Sequence, residues 1–291
     1  MSTAAKQAKF RYDVVTDFDH LEEIVALQKA VWGEDVVTSL PQMVAANHNG
    51  GVVIAVFDDN NGRMAGFCYG FPGFSELSDK PYLCSHMMAI NPDYQNQGLG
   101  EQLKFEQRKW GIAYGYEKIV WTFDPLEARN AYLNLCKLGA YAKTYIESVY
   151  GEMKDKVNIG IPSDRFLVEW DLHSPTVTVA ADGRRNVQTE WKDYQKLVNI
   201  QWQDGIPVPD SLNHIGDGPG HLLPVPANHR TIIESAPDVV MDWRMTIRHA
   251  VQKAFAAGYR IVGILRDPSI AHYVLVQNRQ TRENRKNAID Q

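Results

Sequence analysis

NPDYQNQGLG, residues 91–100, carries one acid, no base and two glycines separated by a single leucine. The run before it, YLCSHMMAI, is strand-like. The run after it is helical, with Leu99, Leu103, Trp110 and Ala113 on one stripe and Gly115 at its end. A strand-to-helix joint of this kind is either an ordinary turn or a cradle for an anion. Two glycines spaced by one residue let backbone approach a ligand with no Cβ in the way. The helix that starts there leaves its first N–H groups without intrahelical acceptors, and its dipole favours negative charge. A pyrophosphate meets both conditions.

Two familiar phosphate loops do not fit. A dinucleotide fingerprint needs G-x-G-x-x-G after the first strand and an acid about twenty residues on. Here the glycines close the loop and the strand before them is the fourth. A P-loop ends in G-K-[ST], whereas Gly100 is followed by Glu101.

Upstream, FRYDVV (10–15) reads as a strand. DFDHLEEIVALQKAVWG starts a helix at Asp17 or Asp19, puts Leu21, Ile24, Leu27 and Val31 on one face and stops at Gly33. A second helix begins near Ser39 with Pro41 in its first turn. GVVIAVFDD and RMAGFCYGF are strands joined by the hairpin-type turn DDNNGR. Downstream, EKIVWTF is a strand, LEARNAYLNLCKLGA a helix ending at Gly139, and AKTYIESVY and DRFLVEWDL two further strands.

Near Leu172 the texture changes. HSPTVTVAADGRR reads as a linker, and residues 205–238, rich in Pro and Gly, as a mostly irregular segment with a short strand at HLLPV. A helix follows with Val240, Trp243, Ile247, Val251, Ala254 and Phe255 in register, then the strand YRIVGIL and a polar tail expected to fray. AYGYEKIVW (113–121) and AAGYRIVGI (256–264) echo each other across a helix-to-strand joint, although any such joint favours Gly at its C-cap.

The 291 residues allow one large domain or two ordinary ones. An apolar share of 44% and a charged share of 22% place the chain among soluble globular proteins. A net charge of −5 gives no field to attract nucleic acid. The N-terminus MSTAAKQAKFRYDVV lacks the apolar core of a leader, and the apolar runs are too short to cross a bilayer. Cys68, Cys84 and Cys136 have no metal-ligand spacing, so free thiols in a reducing cytoplasm are expected.

The order of elements and the Q-x-x-G-x-G loop resemble the GNAT superfamily of acyl-CoA-dependent N-acetyltransferases over residues 10–172. RNAYLNLCKLGA is similar to that family's N-x-x-(A)-x-x-L-x-x-x-G helix. VWTFDPLEARNAYLNLCKLGA, with SHMMAI upstream and the C-terminal extension, resembles a large bacterial and archaeal GNAT-like branch.

The resemblance implies an α/β GNAT fold on a mixed, mainly antiparallel sheet in residues 1–172. A smaller α+β lobe, a degenerate half-copy or an unrelated module, would fill 173–291 and cover the acceptor site or mediate a homodimer. Gln95, Asn96, Gln97, Gly98, Leu99 and Gly100 would hold the CoA pyrophosphate. Met88, Ala89 and Ile90 would line its arm, and Asn130 would lie near it. The loop departs from the family in carrying Gln, Asn and Gln where Arg or Lys is usual.

Acyl transfer to an amine needs a base, a polarised carbonyl and held reactants. His86 is the candidate base, in the phase where arylalkylamine-type members place a strand-four His, and equally a structural His. A backbone N–H near Met87 or Met88 would polarise the carbonyl. Many relatives place a general-acid Tyr where this chain has Leu135; Tyr132, one turn earlier, or Tyr141 would substitute, or solvent would protonate the thiolate.

Glu34 and Asp35 follow the first helix, and Glu34 is taken to bind the acceptor ammonium. Asp124, at the mouth of VWTFDP, either joins it or caps the next helix. His214, His221 and His229 match no metal spacing, and no metal is expected. Arg244 and Arg248, one turn apart, either meet a carboxylate or face water. The expected activity is transfer of an acyl group, acetyl first, from acyl-CoA to a small primary amine such as an amino acid. A succinyl donor and a non-catalytic acyl-CoA-binding regulator are the rivals.

Overall fold

Capping chemistry and apolar alternation set out the first elements. In the computed structural model, which describes residues 9–75, 78–151, 161–185 and 187–277, β1 (Phe10–Val14) leads into α1 (Phe18–Trp32). Asp17 caps α1 by accepting the His20 N–H at 3.1 Å. Ser39 caps α2 (Leu40–His48) in the same way, with Pro41 in the first turn. Then come β2 (Val52–Asp58), β3 (Met64–Ser75), β4 (Ser78–Ile90), α3 (Leu99–Tyr114) and β5 (Lys118–Phe123). Residues 1–8, on which the absence of a leader was read, and the polar tail from 278 lie outside the described residues.

The chain divides into two compact units, residues 1–121 with 171–173, and residues 122–170 with 174–291. In the first unit the sheet runs β1-β2-β3-β4-β5. Neighbours are antiparallel through β4, and β5 runs parallel to β4. Strand alternation sends Val53, Ala55 and Phe57 to one face, where they pack with Leu21, Ile24 and Leu27 of α1 and Met43 and Ala46 of α2. The other face is covered by α3. Its buried row is Leu99, Leu103, Gln107 and Gly111, with Lys104 and Phe105 beside it; Ala113, expected on the stripe, is exposed. Arg108 clamps the Leu172 carbonyl with Nε and Nη2 at 2.9 and 2.6 Å.

The second unit contains α4 (Ala128–Ala131), β6 (Tyr141–Ile146), β7 (Arg165–Asp171), α5 (Pro175–Ala181), β8 (Gln195–Lys196) and β9 (Val198–Gln203). It continues with β10 (Ile206–Leu212), β11 (Gly220–Pro226), α6 (His229–Ile233), α7 (Pro237–Ala256), β12 (Tyr259–Leu265) and β13 (Ile270–Gln277). Its sheet order is β7-β6-β12-β13-β11-β8, with β9 and β10 a separate hairpin. Val240, Trp243, Ile247, Val251 and Ala254 of α7 are buried, as their spacing predicts.

Three local readings change. HSPTVTVAADGRR is not a linker: Ser174 caps α5 at Val177 N–H, and Pro175 takes the first helical position. Residues 205–238 are largely ordered into β10, β11 and α6. Pro224 and Pro226 sit in β11 past the two residues, His221 and Leu222, that pair with β8, where a missing N–H breaks no ladder on that side. The helix expected to run evenly to Gly139 is α4 followed by a π-helical turn over residues 132–137. Among the described residues no helix is long and apolar enough to cross a membrane.

Candidate active site

The joint between β4 and α3 is built from left-handed backbone. Asn96 has φ +64° and Gly98, the N-cap of α3, has φ +81° and ψ 1°. Nothing lies within 4 Å of where a Cβ on Gly98 would stand, so its conformation, not crowding, calls for glycine. A Cβ on Gly100 would meet only Met88 and Ile90 at 3.6 Å or more, so packing within the protein does not demand glycine there. Both positions keep the outer side of the turn bare. Gly98 supplies no side-chain cap, and the first helical bond is Gln102 N–H to the Gly98 carbonyl at 3.2 Å. The N-terminal dipole of a sixteen-residue helix therefore points out through the loop. Gln95, Asn96, Gln97 and Gly98 are exposed, while Leu99 anchors the loop in the core.

Immediately before the loop, β4 changes register. Tyr69 pairs with Met87 but Gly70 pairs with Ser85, so His86 is the extra residue of a β-bulge. On its other edge β4 pairs with β5 at Leu83–Ile119 and Cys84–Val120, and the pairing ends there. The bulge and the end of the parallel ladder thus coincide. Ser85 turns toward α3, where its Oγ accepts from Lys104. His86 turns to the other face, against Tyr69 and Phe71 at 6.1 and 5.6 Å between ring centres. Partial burial lowers its pKa below the usual imidazole value, and the rest of the ring is exposed. A neutral imidazole beside an open strand edge has the form of a proton acceptor. Met87 receives a contact from the Thr38 hydroxyl at 3.0 Å, ahead of α2.

Residues 18–139 match the Acetyltransferase (GNAT) family. The chain carries a GNAT acetyltransferase domain. Members of that family transfer an acyl group from acyl-CoA to an amine. No curated protein matches the sequence. Solved structures similar to it include an acetyltransferase from Acinetobacter baylyi, at 19% identity over 58% of this chain and 97% of its own, with a TM-score of 0.46. A GNAT-family acetyltransferase from Streptococcus pneumoniae is 17% identical over 55% and 98%, at 0.43. The ribosomal-protein-S18-alanine N-acetyltransferase of Escherichia coli is 16% identical over 57% and 96%, at 0.45.

The first unit brings together Met88, Ala89, Ile90, Gln95 to Gly100 and His86 on β4 and its joint with α3. Glu34 lies after α1, exposed, with its carboxylate 3.6 Å from Lys29. The remaining expected residues belong to the second unit. Asn130 is exposed on α4, Tyr132 lies 4.9 Å from the Arg266 guanidinium, and Leu135 is wholly buried.

Asp124 accepts the Leu126 N–H at 2.8 Å, a turn just ahead of α4, and pairs with Arg244 at 2.7 Å and Arg165 at 3.3 Å. Burial raises its pKa, but the Arg244 charge and hydrogen bond outweigh this and hold the carboxyl below its ordinary range. Arg248 grips Asp164 with two bonds of 2.9 and 2.7 Å. His221 bonds the Gly216 carbonyl, His229 lies 4.0 Å from Glu127, and His214 is exposed. Among the described residues no metal-binding group of His, Cys, Asp and Glu gathers.

Sequence reasoning passed over Lys104. It is only 3% exposed, yet it lies on α3 with Nζ donating to Ser85 Oγ and Gln107 Oε1, each at 2.9 Å. Its Nζ also sits 3.7 Å from the centre of the Trp121 ring. Burial pushes its pKa down to about 7, against small upward pulls from Cys68 and Cys84. At helical spacing a lone lysine reads as a solvated residue; only its i+3 partner Gln107, also buried, marks a polar row on the covered face.

Proposed function

We propose that this protein is a cytoplasmic N-acyltransferase that moves an acetyl group from acetyl-CoA to the primary amine of a small molecule, such as an amino acid. The carrying observation is the bulge at His86, placed where β4 leaves β5 and followed at once by the uncapped N-terminus of α3. In this reading the backbone from Gln95 to Gly100 holds the pyrophosphate, and Met88, Ala89 and Ile90 run beside the pantetheine arm. Residues 1–172 carry the transfer machinery and 173–291 form an accessory lobe that joins two copies.

The chemistry follows from the parts. The acceptor ammonium must lose a proton before its nitrogen can attack, and His86, neutral near pH 7, takes it directly or through a water. The nitrogen bonds to the thioester carbon, and a β4 N–H near Met87 or Met88 receives the growing oxyanion charge. Collapse breaks the C–S bond; the nitrogen sheds its second proton to water as the amide forms, and the CoA thiolate leaves with the electron pair and takes up a proton. Tyr132 is one proposed source of that proton. Glu34, whose carboxylate is the more exposed of the two acids, is proposed to hold an acceptor ammonium, with Asp124 as the second candidate.

A succinyl donor is the second reading. Arg244 is 3% exposed, and its Nε and Nη1 have no hydrogen-bond partner, which leaves donors for another carboxylate.

The test is release of CoA thiol from acetyl-CoA and succinyl-CoA over a panel of primary amines and the common amino acids. Wild type is expected to release thiol with at least one amine, and H86A to lose about 10²-fold or more in kcat/KM. Tight acyl-CoA binding with no turnover on any amine would favour the regulator instead.

A further inference from the structure

Lys104 stands at the point where the two parallel strands separate. Cys84 and Val120 are the last paired residues. The next residue on β4 is Ser85 and the next on β5 is Trp121. Lys104 touches both, through the Ser85 hydroxyl at 2.9 Å and the Trp121 ring face at 3.7 Å. Its Nζ therefore closes the narrow end of the gap, on the α3 side of the sheet. The loop Gln95–Gly100 follows Ile90 at the far end of β4. Five residues of strand from Ser85 to Ile90 span roughly 16 Å, which is the reach of an extended pantetheine arm. An acyl-CoA held by its pyrophosphate at Gln95–Gly100 and extended along β4 would bring its sulfur beside Ser85 and Lys104. His86 leaves the same stretch of β4 toward the opposite face.

Resting on the acyltransferase reading, we propose that Lys104 is the group that donates a proton to the departing CoA thiolate, from the face of the sheet opposite His86. The balance is simple. As the C–S bond breaks, sulfur takes the electron pair and then a proton from the Lys104 ammonium. The acceptor nitrogen sheds its second proton to water as the amide forms, the neutral lysine regains one from solvent, and His86 gives up the proton it took from the acceptor.

The surroundings suit this task. The titratable groups that act on Lys104 include Cys68 on β3 and Cys84 on β4. Burial raises both thiols, Cys68 to about 12, so both are neutral at working pH. β5 presents the Trp121 ring, and β2 turns the apolar Val52, Ile54 and Val56 toward α3. The Ser85 and Gln107 oxygens that accept from Lys104 are neutral. An ammonium with a pKa near 7 passes its proton downhill to a thiolate whose ordinary value is about 8.5.

The deciding experiment titrates the thiol of bound CoA by its ultraviolet thiolate absorbance, with desulfo-CoA on the same protein as the baseline. An ammonium within reach of the sulfur favours the thiolate, so the bound thiol is expected to titrate about one unit or more below free CoA. K104M should erase that shift while still melting at a higher temperature with CoA, and Y132F should retain it. With an accepted amine, K104M should lower kcat by about 10²-fold and leave KM for acetyl-CoA within about threefold. Should K104M not fold, K104Q, which keeps an amide donor toward Ser85, takes its place. A wild-type thiol that titrates like free CoA, or a shift that survives in the variant, overturns the assignment. Absence of any CoA binding by wild type overturns instead the acyltransferase reading beneath it.

Discussion

Replacing Lys104 by methionine removes a titrating group from the core while nearly keeping its length. Burial moves the lysine from an ordinary 10.5 to about 7. At about 1.36 kcal/mol per unit, charging it in the fold costs roughly 4–5 kcal/mol more than charging it in the unfolded chain. The sign follows from proton counts. Between about pH 7 and 10.5 the unfolded chain holds this proton and the folded chain does not, so wild-type stability rises with pH across that window. Below pH 7 both states hold it and the contribution is flat. Integrated from pH 7 to pH 9, the gain is roughly 2 kcal/mol. K104M lacks it. The variant also leaves Ser85 Oγ and Gln107 Oε1 without their donor, at about 1–3 kcal/mol in all. That loss offsets only part of the relief, so K104M should be the more stable protein at pH 7 by about 1–4 kcal/mol, and the difference should shift toward wild type by roughly 2 kcal/mol by pH 9. Urea unfolding followed by tryptophan fluorescence at several pH values between about 6 and 9 measures this, with Trp121 as a reporter beside the amine. Parallel pH curves for wild type and K104M would refute the claim that burial lowers the Lys104 pKa to about 7.

Three other expectations are independent of that one. G98A places a side chain on a φ of +81° with open space around it, so it should cost about 1 kcal/mol of stability by strain; calorimetry of folding and of CoA binding should show both weakened. H86Q should remove the acid limb of the pH profile of kcat/KM. In wild type that limb lies below about 6.5, because burial depresses the imidazole and its neutral form is the active one. D164N should destabilise the second unit by roughly 3 kcal/mol, since it strips the bidentate partner from Arg248. Arg248 and neighbouring donors outweigh burial to hold the Asp164 carboxyl below its ordinary range. Wild-type stability from this pair is therefore present above about pH 4 and lost as pH falls further, and D164N should flatten that acid loss in a melting series.

The first unit was legible because its signals are local. Asp17, Ser39 and Gly98 each mark a helix start by their own chemistry, and β2 and β3 carry unbroken apolar runs. The second unit was less so. In α5 the run Thr-Val-Thr-Val lowers helix propensity and hid the start signal at Ser174-Pro175. Prolines masked β10 and β11, although Asp204-Gly205 between β9 and β10 is a hairpin signal that was available. The bulge at His86 and the burial of Lys104 left no mark in the sequence, because both depend on which strand lies alongside and where pairing stops. The loop of the site could be read from spacing; the groups set around it by tertiary register could not.

The central claim is that the loop from Gln95 to Gly100 is an acyl-CoA phosphate cradle. Thermal melting of the whole chain with CoA, acetyl-CoA, succinyl-CoA and ATP tests it most directly. A ligand present at about 100 times its dissociation constant adds roughly 2.7 kcal/mol to the folded state. Tm should rise clearly with CoA and with one acyl-CoA above the other, rise less in G98A, and not rise with ATP. Unchanged melting with every CoA species would contradict it.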